Sequence, residues 1–566
     1  MKNQSSSEVP ESLRNSSLYG DDIAPLPLEA RTWSRWNLAA LWVGMAVCIP
    51  TYLLASYMIK SGLNWYEALI IIGLANVVIT LPMVLNGHAG VKYGIPFPVQ
   101  GRSAFGTQGV HIPSMLRALV ACGWFGVQTW IGGLALYSIW HAIMGTEAIS
   151  GLDMGKFIAF AVFWVINIYF IWKGTESIKW LEDYSAPLLI GIGVVLVVWG
   201  YRQAGGFTSV LAKSDTLGKP SLVMSPDGIL QIKPLIDENG VYRAEEMCFW
   251  ISSSGSAEAQ QWQPIRTSIP LSEVAGIDQV EGIKFRKKRE NGSYSYSSLV
   301  ALPSGPADEG KSIWSYLIWF TAMVGFWATM AISISDITRF SKSQKEQMAG
   351  QFIGLPGTML FYSFVGIFVT SAAVIAFPVI LIAEDAPWDP VSLMNNFGSP
   401  GVIIFAQVCM LIATLSTNIA ANVIAPAYAI TNLFPRGLSF RSSGVIAGLI
   451  GIAVCPWWLL DEVSGVLILV SGLLGPVLAV LLCDYFLIRN SRLSVQDLYN
   501  PTGIYCFSNG YNWRAIAALF LGAIAAVIGK WVDALSYLYS ISWFTGFIVA
   551  FIVYFLLMKP KSAASS

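Results

Sequence analysis

The chain has 566 residues, 55% of them hydrophobic and only 12% charged, with a mean hydropathy of +0.58. Soluble globular chains carry roughly a quarter charged residues, so most of this one is expected to have lipid as its solvent. The formal net charge is +0, from 34 Lys+Arg against 34 Asp+Glu, which speaks against a nucleic-acid partner. Three His and seven Cys without a CxxC pair give no zinc site or disulfide framework. No clustering of His or carboxylates at one depth suggests an enzyme, and no cofactor is implied.

In chain order, residues 1–30 form a polar, Ser-rich tail without the apolar core of a signal peptide. A membrane span needs about 20 mostly apolar residues. Twelve candidate segments follow, near 37–59, 66–85, 113–142, 157–173, 185–203, 312–335, 351–382, 401–432, 443–460, 464–488, 514–532 and 539–558. Basic residues mark one set of loops: Arg31 and Arg35 before segment 1, then His88, Lys92 and Arg102, Lys173 and Lys179, Arg339, Lys342 and Lys345, Arg436 and Arg441, Arg489 and Arg492, and Lys559 and Lys561 at the end. The other loops are acidic or neutral, with Glu384, Asp385 and Asp389, Asp461 and Glu462, and Asp533. Positive charge stays cytoplasmic, so both termini are expected inside, most simply in a bacterial inner membrane.

Residues 205–311 interrupt this pattern between segments 5 and 6, on the expected outer side. Pro226-Asp227-Gly228, Asn239-Gly240 and Asn291-Gly292 are turn signals, and the last is flanked by strand-like runs. A partly β extracytoplasmic insertion is expected. It reads either as an inert loop or as a module for gating or docking.

Segments 1 and 6 are five apart and both carry breakers. Segment 1 has Gly44 and Pro50, which lacks a backbone donor; segment 6 has Gly325 near its centre. Interrupted helices at matching places in two halves point to a transporter site, although kinks and packing glycines also occur without one. In segment 3, Trp124 and Gln128 share a helix face. An indole offers a flat stacking surface and a carboxamide pairs a donor with an acceptor, a combination suited to a planar ring bearing amides. Ser416, Thr417, Asn418 and Asn422 make segment 8 unusually polar, either as interhelical glue or as hard oxygen ligands for an alkali cation. No Asp or Glu is expected at mid-span, since Asp336 and Asp484 fall at the inner ends. That favours a cation held by neutral oxygens while leaving proton coupling open.

Five blocks in order, NGHAGVKYGIPFPVQGRSAFG, CGWFGVQTWIGG, SISDITRFSKSQKEQMAGQFIGLPGT, ATLSTNIAANVIAPAY and CDYFLIRNSRLSVQDLYNPTGIY, resemble the nucleobase–cation symporter-1 family, nearest its allantoin-permease branch. The resemblance implies an all-α membrane fold of about twelve helices. Two inverted five-helix repeats, 31–204 and 312–490, would be followed by two further helices in 491–558 and a short tail, 559–566, with helices 1 and 6 discontinuous. It implies that Trp124 and Trp327 sandwich the ligand ring, and that Gln128 and Asn422 hydrogen-bond its amide edge. A sodium ion would lie on carbonyls of Gly44, Val47 and Ala413 and hydroxyls of Ser416 and Thr417. Cys48 and Phe326 stand at ligand-facing positions where other members carry different side chains, which bears on substrate identity.

The resulting expectation is a secondary transporter. It would couple sodium or protons to uptake of a nucleobase or related heterocycle (allantoin, hydantoin, uracil, cytosine or a purine) by alternating access. Helices 1, 2, 6 and 7 would rock against helices 3, 4, 8 and 9, and the bilayer and the heterocycle would be the only partners implied. A membrane receptor or sensor, reading a ligand through the outer insertion, is the alternative.

Overall fold

A computed structural model describes residues 11–61, 63–146, 152–214, 221–225, 227–233, 243–251, 260–274, 276–288, 292, 294–297, 299–302, 313–376, 399–459 and 463–559. The acidic loop residues Glu384, Asp385, Asp389, Asp461 and Glu462 lie outside the described residues, as do Lys561 and the turn residues Pro226, Asn239, Gly240 and Asn291.

The long helices follow the apolar segments. They are α1 (Arg35–Ala46), α2 (Ile49–Lys60), α3 (Trp65–Tyr93), α4 (His111–Met144), α5 (Met154–Lys173) and α6 (Thr175–Gln203). After the insertion come α7 (Ile313–Ser333), α8 (Gln344–Ala376), α9 (Pro400–Asn422), α10 (Ile424–Leu433), α11 (Phe440–Ala453), α12 (Val463–Leu482), α13 (Trp513–Val527) and α14 (Ser542–Met558). Among the described residues eight helices are long and apolar enough to cross a membrane, or ten when each of two sharply bent pairs is taken as one span. The other two expected segments contain the shorter apolar helices Phe440–Ala453 and Gly472–Ile488. On α5, exposed Ile158, Val162, Val165, Tyr169 and Trp172 recur at helical spacing and form one lipid-suited stripe.

The break in the first segment is real. α1 and α2 meet at 70°, with Val47 and Cys48 between them and Pro50 in the first turn of α2, where its missing N–H costs nothing. The expected break in the sixth segment is not there. α7 runs without interruption through the buried Gly325, and the chain turns only at Ile334, before a short helix at Ser335–Thr338. A lone glycine weakens a helix by roughly 1 kcal/mol, and packing on both sides outweighs that; only a proline removes a hydrogen bond and clashes. Proline also explains an interruption that the sequence analysis does not place: Pro426 cannot donate to Asn422, and the helical ladder lapses at Val423, between α9 and α10, which together form one span, Pro400–Leu433.

Packing sorts the helices into groups. α1, α2, α3, α7 and α8 pack on one another, α4 packs along α5, α9, α10 and α11, and α12, α13 and α14 pack together against α7. α6 touches α1, α8 and α9, so it bridges the first two groups.

At the basic end the loops are ordered by buried side chains. His88 and Lys92, expected in a loop, still belong to α3. Arg102 is fully buried and donates to the carbonyls of Leu498 and Leu18 and to Asn432 Oδ1. The tail preceding α1 is strapped down: Tyr499 donates to the Ile23 carbonyl at 2.6 Å, and Arg339 to those of Asp22 and Ala24. Asp484, also fully buried, accepts from Arg489 Nε at 2.7 Å, Tyr554 at 2.8 Å and Ser103 at 2.9 Å.

The insertion forms a three-stranded antiparallel sheet, β1 (Ser221–Met224), β2 (Ile229–Lys233) and β5 (Ser268–Pro270) in the order β1-β2-β5. A second sheet orders β4 (Gln263–Pro264), β3 (Glu246–Trp250), β6 (Gly282–Lys288) and β7 (Tyr294–Tyr296), with β8 (Val300–Ala301) also on β6. The basic run of β6 lies on aromatic faces, Lys284 over Trp250 and Arg286 over Tyr294. Arg243 ties the insertion to the end of α8 through the Val374 carbonyl.

Removing one partner of a buried ion pair strands the other charge, at a cost of about 3–5 kcal/mol. Arg489→Ala is therefore expected to lower the thermal unfolding midpoint of the purified protein far more than Tyr554→Phe, which removes one hydrogen bond from Asp484. Equal, small shifts in a detergent unfolding assay would show that the Asp484 cluster does not hold this end together.

Candidate functional site

The site grows from the α1–α2 break. Where a helix stops inside an apolar slab, its last carbonyls need new partners. Thr417, on α9, donates its hydroxyl to the Gly44 carbonyl at 2.8 Å. Its neighbour Ser416 donates to Glu182 Oε2 at 2.7 Å and receives from Ser185 Oγ at 3.2 Å, both on α6. Gly44 has to be glycine here, because a Cβ would stand 1.6 Å from Glu182 Oε2 and 2.5 Å from Ser416 Oγ. Val47 and Ala413 are buried in one apolar cluster with Tyr52, Val127 and Met410 around this point. The structure thus brings Gly44, Ser416 and Thr417 into direct contact and sets Val47 and Ala413 beside them.

Glu182, in the first third of α6, is a buried carboxylate that the sequence analysis does not name. It is 1% exposed. The sequence reading began its fifth segment at 185 because Lys179, Glu182 and Asp183 lower the local hydropathy, but α6 begins at Thr175. The available signal was an acidic pair abutting an apolar run, since ionisable residues in such positions are functional candidates by default. Asp183, next to it, accepts from the Asn37 amide of α1 at 3.0 and 3.1 Å.

The second half of the site lies on α4 and α7. Trp124 and Phe326 are half-buried and meet edge to face, ring centres 6.1 Å apart. Phe326 also contacts Trp327 at 4.9 Å, and Trp327 in turn meets Trp42 at 5.2 Å. Successive residues on an unbroken helix point about 100° apart, so Phe326 rather than Trp327 is the ring that Trp124 touches. Gln128 is buried one turn from Trp124, and its Oε1 has no hydrogen-bond partner. Trp327 Nε1 is likewise buried and unpartnered. Buried polar atoms are almost always paired, so Gln128 Oε1 and Trp327 Nε1 keep hydrogen-bonding capacity unspent near the half-buried rings. Cys48, at the break, bonds Thr51 at 3.3 Å and faces both Gln128 and Thr417, joining the two halves.

Asn422 is buried, and its amide donates to Asn418 Oδ1. Asn418 donates in turn to Thr129 and Asn167 at 3.0 Å, so this polar ladder ties α9 to α4 and α5. Arg117, which sequence reasoning passed over, is buried on α4 and donates to the carbonyls of Thr329 on α7 and Ala421 on α9. It links the two helix groups. Its sequence signal is an arginine inside the apolar segment 113–142, the position where an ionisable residue is a functional candidate by default.

A family model described as permease for cytosine/purines, uracil, thiamine, allantoin matches residues 25–226 and 303–546, the gap falling on the insertion. The chain is 34% identical to an allantoin permease of Bacillus subtilis, covering 97% of this chain and 94% of that one. It is 33% identical to a purine-uracil permease of Arabidopsis thaliana, covering 98% of this chain and 81% of the other. Its fold is similar to that of Mhp1, a nucleobase-cation-symport-1 family transporter solved in a closed conformation with bromovinylhydantoin bound. The TM-score is 0.68 at 22% identity, covering 96% of this chain and 95% of that one.

The contact at Gly44 is testable by a double-mutant cycle. Gly44→Ala is expected to cost about 1–3 kcal/mol of stability through overpacking. In a Glu182→Ala background the same change should cost markedly less, a coupling of roughly 0.5–3 kcal/mol. Thermal unfolding of the four proteins measures it, and strict additivity would show that the carboxylate does not occupy this space.

Proposed function

Because the chain belongs to the family of permeases for cytosine/purines, uracil, thiamine and allantoin, and is a membrane transporter rather than an enzyme, we propose that it imports a planar, amide-bearing nitrogen heterocycle together with a cation. Allantoin is the first candidate, given the 34% identity to an allantoin permease; hydantoins, uracil, cytosine and purines follow. The membrane is a bacterial inner membrane with both termini cytoplasmic, in keeping with the basic loops at one end.

The observation that carries this reading is the buried, unpartnered Gln128 carbonyl beside the half-exposed Trp124 and Phe326 rings. The rings supply stacking area, and Gln128 and Trp327 Nε1 supply an acceptor and a donor for the amide edge. Asn422 completes the polar wall. Across Cys48 lies the cluster of Gly44, Ser416 and Thr417, with Val47 and Ala413 beside it, which we assign to a sodium ion. A cation there orders the α1–α2 break, and the ordered break completes the heterocycle pocket, so each ligand strengthens the other's binding. Movement of α1, α2, α3, α7 and α8 against α4, α5, α9, α10 and α11 then exposes the pocket to either side in turn. The family match favours this permease over a receptor that reads its ligand through the insertion.

Uptake of labelled allantoin, hydantoins, uracil, cytosine and purines, in sodium and in choline buffer at two pH values, tests the proposal. Concentrative uptake of one heterocycle, lost in choline, is the expected result. Uptake that follows pH and ignores sodium would move the coupling to protons. Trp124→Ala should cut uptake about tenfold or more, from stacking worth roughly 1–3 kcal/mol per ring, with surface expression intact. Undiminished uptake by that variant would sink the pocket assignment.

A further inference from the structure

We propose that the Glu182 carboxylate is itself a ligand of the coupling cation, supplying from α6 the one charged oxygen in a site otherwise built of hydroxyls and backbone carbonyls. This rests on the symporter reading above and adds to it a helix and a charge.

Three observations carry it. The first is contiguity. Gly44 O and Thr417 Oγ1 are 2.8 Å apart, Ser416 Oγ and Glu182 Oε2 are 2.7 Å apart, and Ser185 Oγ is 3.2 Å from Ser416 Oγ. Ser416 and Thr417 are sequence neighbours, so these oxygens from α1, α6 and α9 form one patch. Hydroxyl hydrogens rotate, and each hydroxyl keeps lone pairs for a cation once its hydrogen turns away.

The second is the unspent oxygen. Glu182 is 1% exposed, and Oε1 has no hydrogen-bond partner while Oε2 is pressed against the Gly44 backbone.

The third is charge. Among the described side chains no Lys or Arg forms an ion pair with Glu182. Its neighbour Asp183 is held by the neutral Asn37 amide and adds negative charge of its own. A carboxylate buried without a counter-charge is strongly disfavoured. A hard monovalent cation among oxygen ligands supplies that charge. The ligand class is therefore an alkali cation. Bound there it joins α1 of one helix group, α9 of the other and α6, which touches both.

The test uses the purified full-length protein in detergent. Thermal unfolding is followed across a sodium chloride series at constant ionic strength with choline chloride, for wild type, Glu182→Gln and Glu182→Asp. Allantoin and hydantoin binding is read in parallel by tryptophan fluorescence. Wild type is expected to be stabilised by sodium in a saturable way. Glu182→Gln, nearly isosteric, should raise the half-saturating sodium about tenfold or more, the scale of losing a metal-site group. Glu182→Asp, which keeps the charge, should retain a sodium response with a smaller shift, and it decides the matter if the Gln variant fails to elute as a single folded species. An unchanged sodium half-saturation in Glu182→Gln would overturn the proposal, and so would a wild type indifferent to sodium whose heterocycle binding follows pH alone. A wild type that responds to sodium through Glu182 but binds no heterocycle would support the cation ligand while overturning the symporter reading.

Discussion

Inside a bilayer a backbone N–H or carbonyl has no water to fall back on, and each one left unpaired costs several kcal/mol. The organisation of this protein follows from that constraint at the point where α1 stops. Once Val47 and Cys48 leave helical geometry, the carbonyl of Gly44 needs a donor, and Thr417 on α9 is that donor. Thr417 and Ser416 can serve the break only if α9 lies against α1, and Glu182 can reach Ser416 only because Gly44 has no side chain. The break and the polar patch therefore stabilise each other, and neither is tolerable alone.

α6 gives this local arrangement its reach. It carries Ser185, Glu182 and Asp183 on one stretch and directs all three at its neighbours: Ser185 and Glu182 at Ser416 on α9, Asp183 at Asn37 on α1. Arg117 makes a second connection, from α4 to carbonyls on α7 and α9. Each link joins helix groups that pack mainly among themselves. Hydrogen bonds across such a seam hold one arrangement and can be exchanged for another without unfolding either group, as two-state movement of packed bodies requires.

What the sequence made legible is what depends on local chemistry. Apolar runs located the helices, Pro50 located the first break, and the Trp124–Gln128 spacing put both residues on one face of α4. The misses share a cause. Gly325 was read as a break because glycine weakens helices, yet the outcome depended on packing along α7 that a single chain does not display. Glu182 falls outside the apolar segment 185–203 because it shares a short charged stretch with Lys179 and Asp183, although the helix itself starts at Thr175. The interruption at Val423 is legible in Pro426, whose ring conflicts with the carbonyl four residues earlier. The partners of Arg117 and Arg102 are not legible in the sequence, since most are backbone carbonyls brought together only by the fold.

The continuity of α7 has a mechanistic consequence. If α7 were broken as the α1–α2 segment is, both could contribute bare carbonyls to a ligand. Here, among the described residues, α7 offers only side chains at that depth: Phe326 toward Trp124, and Trp327 toward Trp42 on α1. On the proposed assignment, the heterocycle half of the site leans on rings and amides, and the cation half on the α1 break. Cys48 is where they meet, bonded to Thr51 and facing Gln128 and Thr417. A change at the break that moves Cys48 alters both halves together. On that assignment, coupling between the two ligands requires no long pathway, because one backbone segment would belong to both sites.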